Sequence, residues 1–312
     1  HHMAHVNRLL KGALISTAGV VGSLMLTKHF TKNKSLKHIP PFFDKPSPYL
    51  FAHRGGMFER PEQTKLAFDR AVEMQLDGFE TDVRLTKDLQ LVVFHDASLD
   101  RTTNGSGLVS EHTLDELKRL DAGYHFTDIN GNHPYRGHSD ARILSFYELL
   151  ELYPNHLVNV DLKDDPSQSL GAQAPQRMYE IIQQHHAEDR VLVTSFDDRQ
   201  TRKFKQISQN QVAVGASQKE VTVGFLKCFS GLGETFKPMA DTFQIPTQFK
   251  GINLTSSKFI QWLNHINVVP GFYGINNIDL MNDLYAKGVH TLVTDKPELA
   301  YRFKKMHNLL EK

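Results

Sequence analysis

Chemically reactive side chains stand at the ends of four consecutive predicted strands of this chain. In chain order they are His53 and Arg54, Glu80 and Asp82, His95, and Asp161 and Lys163. Residues two apart on a strand point to the same face, so the two carboxylates of the second strand share a face, as do the carboxylate and the amine of the fourth. One such group alone would most simply be an exposed charge or a hydrogen-bonded structural histidine. Their succession at four strand ends indicates one functional site.

Together these residue types indicate cleavage of a phosphoric ester. Three carboxylates inside one site repel each other unless a cation compensates them, and oxygen ligands favour Mg²⁺ or Ca²⁺ over zinc. Two histidines can supply a general base and a general acid near neutral pH, and an arginine with a lysine suits the oxygens of a phosphate. A glycosidase would need two carboxylates without the metal or the cations. We therefore expect metal-assisted phosphodiester cleavage rather than glycoside hydrolysis.

The elements that must position these residues alternate along the chain. Short β-branched runs predict strands at 49–53, 78–84, 91–95, 157–162, 191–195, 212–216, 251–254, 268–275 and 291–294. Helical patterns predict helices at 64–75, 145–153, 174–186, 197–208, 256–265, 278–287 and 296–306. Repeated strand–helix units predict a parallel α/β sheet closed into a (β/α)8 TIM barrel. An open doubly wound sheet is the alternative, but the chain has no glycine-rich dinucleotide turn to support it.

One predicted strand is surplus to an eight-stranded barrel. The connection between the second and third predicted strands is too short for a crossover helix, so we expect a hairpin that turns near Lys87. A two-residue turn would set Glu80 opposite His95 and Asp82 opposite Val93. Lysine and aspartate are not a strong turn pair, so this register is open to a slip of one or two residues.

Two long stretches interrupt the alternation. Residues 97–144 are rich in turn-forming residues and contain one short predicted helix at 113–120, and residues 224–249 contain five phenylalanines with little periodicity. Long loops in a barrel usually lie over the mouth of the active site. We therefore expect an insertion at about 97–144 and a phenylalanine-rich loop at 224–249 beside the site.

The composition excludes several classes of protein. The chain has 312 residues, of which 40% are hydrophobic and 23% charged, so a disordered or fibrous protein is excluded. The formal charge of +1 gives no case for binding nucleic acid. Cys228 is the single cysteine, which excludes an internal disulfide and a cysteine-based zinc site.

Positive charge is concentrated at the start of the chain, where residues 1–48 hold seven Lys or Arg and one Asp. His1 and His2 resemble the remnant of a tag. The second feature of this segment is the apolar run within residues 9–27. As a helix this run would span about 24 Å, which is shorter than a hydrocarbon core of about 30 Å. It is a membrane anchor, a cleaved signal peptide or an amphipathic helix packed on the body. We therefore expect 1–38 to be a leader, 39–48 a proline-rich linker and 49–312 a catalytic domain that is membrane-anchored or secreted and lies outside the cytoplasm.

The ordered motifs resemble the glycerophosphodiester phosphodiesterase family. The motifs are His53-Arg54-Gly55, Pro61-Glu62-Gln63-Thr64, Glu80-x-Asp82, His95-Asp96, Arg101-Thr102-Thr103, Asp161-x-Lys163, Ser195-Phe196, Asn276 and Thr294-Asp295. They extend over roughly 49–300 in the order of the family. The resemblance implies a (β/α)8 barrel with a small insertion after the His-Asp strand.

The resemblance also implies a role for each residue. One divalent metal ion, Ca²⁺ or Mg²⁺, would be bound by Glu80, Asp82 and Asp161. The acid–base pair would be His53 and His95, and the phosphate would be held by Arg54 and Lys163. Glu62 would support the site, either beside the metal or behind its ligands. Three positions depart from the family pattern, which usually has Asn at Gln63, Glu at Asp161 and Trp at Tyr273.

The expected substrates are small glycerophosphodiesters, cleaved to glycerol 3-phosphate and an alcohol by water or by the substrate's own glycerol 2-hydroxyl. A lysophospholipase D activity on lysophospholipids is the alternative, and polyglycerol phosphate of a cell wall is a further substrate class. The apolar leader and the phenylalanine-rich stretch favour lysophospholipids, because they resemble the membrane-attached branch of the family. A non-catalytic barrel that binds phosphodiesters or lipids is the second alternative, and the intact acid–base residues argue against it.

Overall fold

The structure, a computed structural model, describes residues 37–311 of the chain. Its strands are β1 Tyr49–His53, β2 Gly78–Leu85, β3 Leu91–Val93, β4 Leu157–Leu162, β5 Val191–Thr194, β6 Ala213–Val214, β7 Thr242–Ile245, β8 Gln248–Phe249, β9 Ile252–Asn253, β10 Val269–Phe272 and β11 Thr291–Thr294. Eight of them are parallel neighbours in the order β6-β5-β4-β2-β1-β11-β10-β7. A parallel bridge between Gly215 and Thr242 joins the two ends of this order. The predicted barrel is confirmed.

Helices pack around the outside of the barrel, except for one short helix that lies in the insertion following β3. They are α1 Lys65–Glu73, α2 Leu114–Lys118, α3 Phe146–Leu152, α4 Ala174–Gln184, α5 Asp198–Ile207, α6 Gln218–Phe229, α7 Ser257–His265, α8 Ile278–Ala286 and α9 Pro297–Met306. Ser145 begins α3 with a full capping box that includes Glu148, and Ser256 caps α7. These are two of the start signals visible in the sequence.

The stretch between residues 217 and 254 folds differently from the prediction. The predicted strand at 251–254 is wrong as a barrel strand, because β8 and β9 form a separate two-stranded hairpin. Lys250 and Gly251 make its turn, with φ of 49° and 79°, the left-handed pair that a two-residue turn requires. The barrel strand is instead β7, which lies with the second half of α6 inside the predicted phenylalanine-rich loop 224–249.

The hairpin of β2 and β3 forms as expected, but the predicted register is wrong by one residue. Val83, not Asp82, lies opposite Val93. The turn contains three residues rather than two, because Thr86 N donates to Gln90 O at 2.9 Å and Leu89 adopts φ of 61°. This is the common three-residue hairpin turn that ends in a left-handed residue.

Residues 39–48, predicted as a linker, cover the amino-terminal end of the barrel. Pro41–Phe43 forms a 3₁₀ turn, and its Phe42 and Phe43 are buried against Tyr49, Phe51 and other inward-facing side chains of the strands. Lys37 Nζ pairs with Asp241 Oδ1 at 2.9 Å. The segment is therefore packed on the barrel at the end opposite the strand carboxyl termini. Between residues 37 and 311 no helix is long and apolar enough to span a bilayer, and the predicted attachment segment 9–27 lies outside the described residues.

The insertion that follows β3 has a small core of its own. This core contains Val92, Phe94, Leu99, Val109, Leu117, Ala122 and Ile143. It includes α2, the element predicted at 113–120. The insertion is thus a compact unit that is held at the carboxyl end of β3, next to the mouth of the barrel.

Candidate active site

The carboxyl ends of the barrel strands surround one cavity of about 900 Å³. The predicted residues that line it are His53, Arg54, Glu80, Asp82, His95, Asp161 and Lys163. Strand register explains why they meet, since His53 lies beside Glu80 across β1 and β2, and Asp82 lies beside Asp161 across β2 and β4. Glu62 does not line this cavity and lies behind it.

The turn after β1 fixes His53 and Arg54 at the edge of the cavity. Three consecutive residues there are left-handed, with φ of 50° at Arg54, 81° at Gly55 and 103° at Gly56, and glycine adopts this conformation without strain. The turn directs Arg54 N toward Glu80 Oε2 at 3.2 Å. The backbone of the turn therefore holds one of the three carboxylates.

His53 is held by a carboxylate from the far end of the chain. Its Nδ1 donates to Asp295 Oδ1 at 2.6 Å, and its Nε2 lies 3.6 Å from Glu80 Oε2. Asn276 Nδ2 donates to the second oxygen of Asp295 at 3.0 Å. Burial lowers the pKa of His53, but the bond to Asp295 and the charge of Glu80 outweigh it and raise the pKa above its ordinary value.

His95 has the same kind of support from its neighbour in sequence. Its Nδ1 donates to Asp96 Oδ1 at 2.7 Å, and Arg101 donates to both oxygens of Asp96, at 2.8 and 3.0 Å. The bonds from Arg101 and then from His95 hold the pKa of Asp96 well below its usual range. Burial lowers the pKa of His95. Both histidines thus have Nδ1 fixed by a carboxylate, and both line the cavity.

Glu62 links the two cationic groups beside the site. It accepts hydrogen bonds from Arg101 at 2.8 and 3.1 Å and from Arg54 Nη1 at 3.3 Å. Its side-chain hydrogen bonds are with these two arginines, and its supporting role stays a prediction. Arg54 Nε is buried and has no hydrogen-bond partner among residues 37–311, which leaves a donor for a ligand.

The three carboxylates fit a hard divalent cation by their chemistry. Burial, followed by the charge of Asp82, raises the pKa of Glu80, and burial raises the pKa of Asp161. Asp161 Oδ1 is buried without a hydrogen-bond partner in the described part of the chain. Such crowded acidic oxygens are stabilised in their charged form by Ca²⁺ or Mg²⁺.

A cationic side chain lies between two of these carboxylates. Lys163 Nζ is 3.0 Å from Asp161 Oδ2 and 3.7 Å from Asp82 Oδ1. The ammonium group of Lys163 therefore compensates part of the negative charge of these two carboxylates. Over residues 37–311 no group of three or more Asp, Glu, His or Cys side chains is arranged so that it could hold a metal ion as it stands.

Several residues of the site carried no assigned role in the sequence-based prediction. Asp295, Asp96, Asn276 and Arg101 all lie in the motifs quoted above, but spacing alone does not show which side chain each one contacts. Gln63 also belongs here, because its Nε2 donates to Asp82 Oδ2 at 2.9 Å. Two of these residues could have been found from the sequence, because Asp96 directly follows His95 and Asp295 directly follows a predicted strand.

Comparison with known proteins gives a consistent result. A sequence model described as the Glycerophosphoryl diester phosphodiesterase family matches residues 53–299. A glycerophosphodiester phosphodiesterase of Caldanaerobacter subterraneus subsp. tengcongensis is 39% identical over 161 residues, which are 51% of this chain and 62% of that protein, less than two thirds of its length. One from Bacillus subtilis (strain 168) is 26% identical over 266 residues, 81% of this chain and 85% of that protein. A solved Oleispira antarctica phosphodiesterase in complex with the product sn-glycerol-3-phosphate has a TM-score of 0.66 at 23% identity and covers 84% of this chain and 97% of that one.

The fold is a TIM barrel whose mouth combines two carboxylate-held histidines, two cationic side chains and a cluster of acidic oxygens. This combination of groups suits the cleavage of a phosphoric diester. Because the family match covers more than half of the chain, this chain belongs to the glycerophosphoryl diester phosphodiesterase family. The family hydrolyses glycerophosphodiesters and generally binds a divalent metal ion. The resemblance seen in the sequence is thereby confirmed.

Proposed function

We propose that this chain hydrolyses water-soluble glycerophosphodiesters to glycerol 3-phosphate and an alcohol, using a divalent metal ion and two histidines. The observation that carries the proposal is the pair His53 and His95, each with Nδ1 bonded to a carboxylate. This arrangement fixes the tautomer and leaves the opposite nitrogen, Nε2, for proton transfer. The product found in the Oleispira antarctica structure supports the same product here.

Each residue of the site has a role that follows from its position in the cavity. Arg54 and Lys163 bind the non-bridging phosphate oxygens, and the buried Arg54 Nε supplies a free donor for them. One histidine takes a proton from the nucleophile, and the other gives a proton to the oxygen of the leaving alcohol. The nucleophile is water or the glycerol 2-hydroxyl. Glu80, Asp82 and Asp161 would hold the metal, which supplies positive charge to the phosphate when bound.

The test is release of glycerol 3-phosphate from glycerophosphocholine with Mg²⁺, Ca²⁺ or EDTA. We expect EDTA to abolish the activity, and His53→Ala and His95→Ala each to lower kcat by about 10²- to 10⁴-fold, the usual contribution of a general acid or base. His265→Ala, on an exposed end of α7, is the matched control and should retain full activity. Activity that survives both EDTA and the site variants would overturn the proposal.

The same assay separates an enzyme from a barrel that only binds. A binding-only barrel would take up glycerophosphocholine, as measured by calorimetry, without releasing glycerol 3-phosphate under any metal condition. Appearance of a cyclic glycerophosphate during the reaction would identify the 2-hydroxyl as the nucleophile, and its absence from a quenched time course would identify water.

A further inference from the structure

Three of the side chains that line the cavity at the barrel mouth have a buried polar atom without a partner. In the described part of the chain six buried side-chain nitrogen or oxygen atoms lack a hydrogen-bond partner. Three of the six belong to Arg54, Asp161 and Gln244, which all line this cavity. Arg54 and Asp161 would bind the phosphate and the metal, whereas Gln244 Oε1 has no role in those steps. A buried acceptor without a hydrogen bond is costly for the folded protein, so a ligand for this atom is the question that it raises.

The orientation of the Gln244 amide is fixed by a chain of hydrogen bonds. Thr242, two residues earlier on the same face of β7, donates its single hydroxyl proton to Val269 O at 2.6 Å. The hydroxyl oxygen therefore accepts from Gln244, whose Nε2 donates to it at 2.8 Å. Because the amide nitrogen is on the side of Thr242, Oε1 is the atom that remains unpaired. The free group is thus an acceptor, and its ligand must supply a donor.

A glycine of the neighbouring strand makes room for this amide. Gly271 of β10 is the direct partner of Gln244 of β7. A Cβ at Gly271 would lie 2.4 Å from Gln244 Nε2 and 2.6 Å from Gln244 Oε1. The backbone of Gly271 is not left-handed, so the conformation of the chain does not require glycine there. The space that the amide occupies does require it.

Gln244 lies across the barrel from the predicted metal ligands of β2. In the closed order of eight parallel strands, β7 is four places from β2 in either direction. Strand β2 carries Glu80 and Asp82, and these two side chains line the same cavity as Gln244. A ligand whose phosphate lies among the charged groups would reach Gln244 with the part that extends farthest from phosphorus. In glycerol 3-phosphate the donor farthest from phosphorus is the hydroxyl of the terminal carbon.

We infer that Gln244 Oε1 accepts a hydrogen bond from the terminal hydroxyl of the glycerol unit and thereby selects glycerol over other alcohols. The unpaired acceptor in the catalytic cavity carries this inference, which rests on the proposed function. The histidines and the cationic side chains act on the phosphoester, which every phosphodiester contains. Gln244 would supply the distinction between alcohols, because a ligand without this hydroxyl leaves the buried acceptor unpaired.

The experiment compares the dissociation constants of three phosphate monoesters, measured by calorimetry in the presence of Mg²⁺. They are glycerol 3-phosphate, 1,2-propanediol 1-phosphate of the same configuration, which lacks the terminal hydroxyl, and 3-hydroxypropyl phosphate, which lacks the 2-hydroxyl. The parent should bind glycerol 3-phosphate about 2- to 12-fold more tightly than 1,2-propanediol 1-phosphate, as expected for one neutral hydrogen bond. Gln244→Met keeps the length of the side chain and removes the acceptor, so this preference should disappear. The preference over 3-hydroxypropyl phosphate should be the same in both proteins.

A second variant and a control show whether the effect depends on the position of the amide. Thr242→Val keeps the size of the side chain but removes the hydroxyl that holds the Gln244 amide, so it should reduce the same preference. Gln206→Met makes the same chemical change at an exposed position of α5 and should leave all three affinities unchanged. Thermal unfolding shows whether each variant is folded. The ratio of two affinities within one protein is independent of any unfolded fraction.

The outcomes separate this inference from the proposed function. An equal affinity of the parent for glycerol 3-phosphate and 1,2-propanediol 1-phosphate would overturn the role of Gln244, as would a preference that Gln244→Met retains. Loss of the preference for the 2-hydroxyl in place of the terminal hydroxyl would also overturn it, and so would a failure of all three esters to bind. Binding with the expected pattern but without hydrolysis of glycerophosphocholine would contradict the proposed function alone.

Discussion

The hydrogen bond between Asp295 and His53 provides the most direct test of how the site works. Asp295→Asn keeps the size of the side chain but removes the charge that faces His53 Nδ1 at 2.6 Å. A hydrogen bond to a charged group is worth about 1.5–3 kcal/mol, which corresponds to about a 10- to 100-fold loss of rate. Asp295 does not line the catalytic cavity, so we expect the loss in kcat, with KM changed by less than about twofold.

Steady-state hydrolysis of glycerophosphocholine measures both constants, and thermal unfolding shows whether the variant is destabilised. Asp283→Asn makes the same chemical change at an exposed helical ion pair with Lys287, so it is the matched control and should leave kcat unchanged. A purely structural role for Asp295 would lower the unfolding temperature without lowering kcat at a temperature where the protein is folded. An unchanged kcat in Asp295→Asn would refute the positioning role.

Three further predictions concern stability. Burial lowers the pKa of His290 from 6.5 to about 4. Between these pH values the unfolded chain binds a proton that the folded chain does not. The free energy of unfolding therefore falls by up to about 3 kcal/mol as the pH drops. His290→Gln should remove this contribution, as measured by urea unfolding at pH 7.5 and pH 4.5. An equal change in the free energy of unfolding between these pH values in the variant and the parent would contradict the prediction. Gly56→Ala places a Cβ 2.5 Å from Pro297 Cγ and should cost about 2 kcal/mol more than Gly137→Ala, which has a similar left-handed φ but no neighbour within 4 Å. Phe42→Ala, at a residue 1% exposed, should lower the free energy of unfolding by about 3 kcal/mol and leave kcat unchanged, because it lies at the opposite end of the barrel; a selective loss of activity would refute this separation.

The alternation of strands and helices made the barrel predictable, because each long element has its own periodicity. The stretch that became α6 and β7 did not follow this rule. The helix contains β-branched residues and Gly224, where an added Cβ would meet the ring of Phe243 at 3.0 Å. The strand β7 has only four residues. Their structure therefore depends on packing between the two elements, which a local pattern does not contain.

The candidate site was predictable to the extent that it depends on strand ends. The residues that line the charged end of the cavity were found in this way, because parallel strands bring their carboxyl ends together. The hydrogen-bond partner of His53 was not found in this way, since Asp295 lies 242 residues from His53 in the chain. The apolar end of the cavity, between α6 and the hairpin of β8 and β9, was missed for the same reason as α6 and β7, because its walls exist only after those elements have packed.

The two histidines depend on different parts of the fold. Asp295 follows β11, so it reaches His53 only when β11 pairs with β1 and the barrel closes. Asp96 is held by Arg101 at the start of the insertion, and Arg101 in turn binds Glu62 on the loop between β1 and α1. The small core of the insertion includes Val92 of β3, so the insertion is packed on the hairpin that precedes His95. The support of His53 therefore depends on closure of the barrel, whereas the support of His95 depends on the contact between the start of the insertion and the loop after β1.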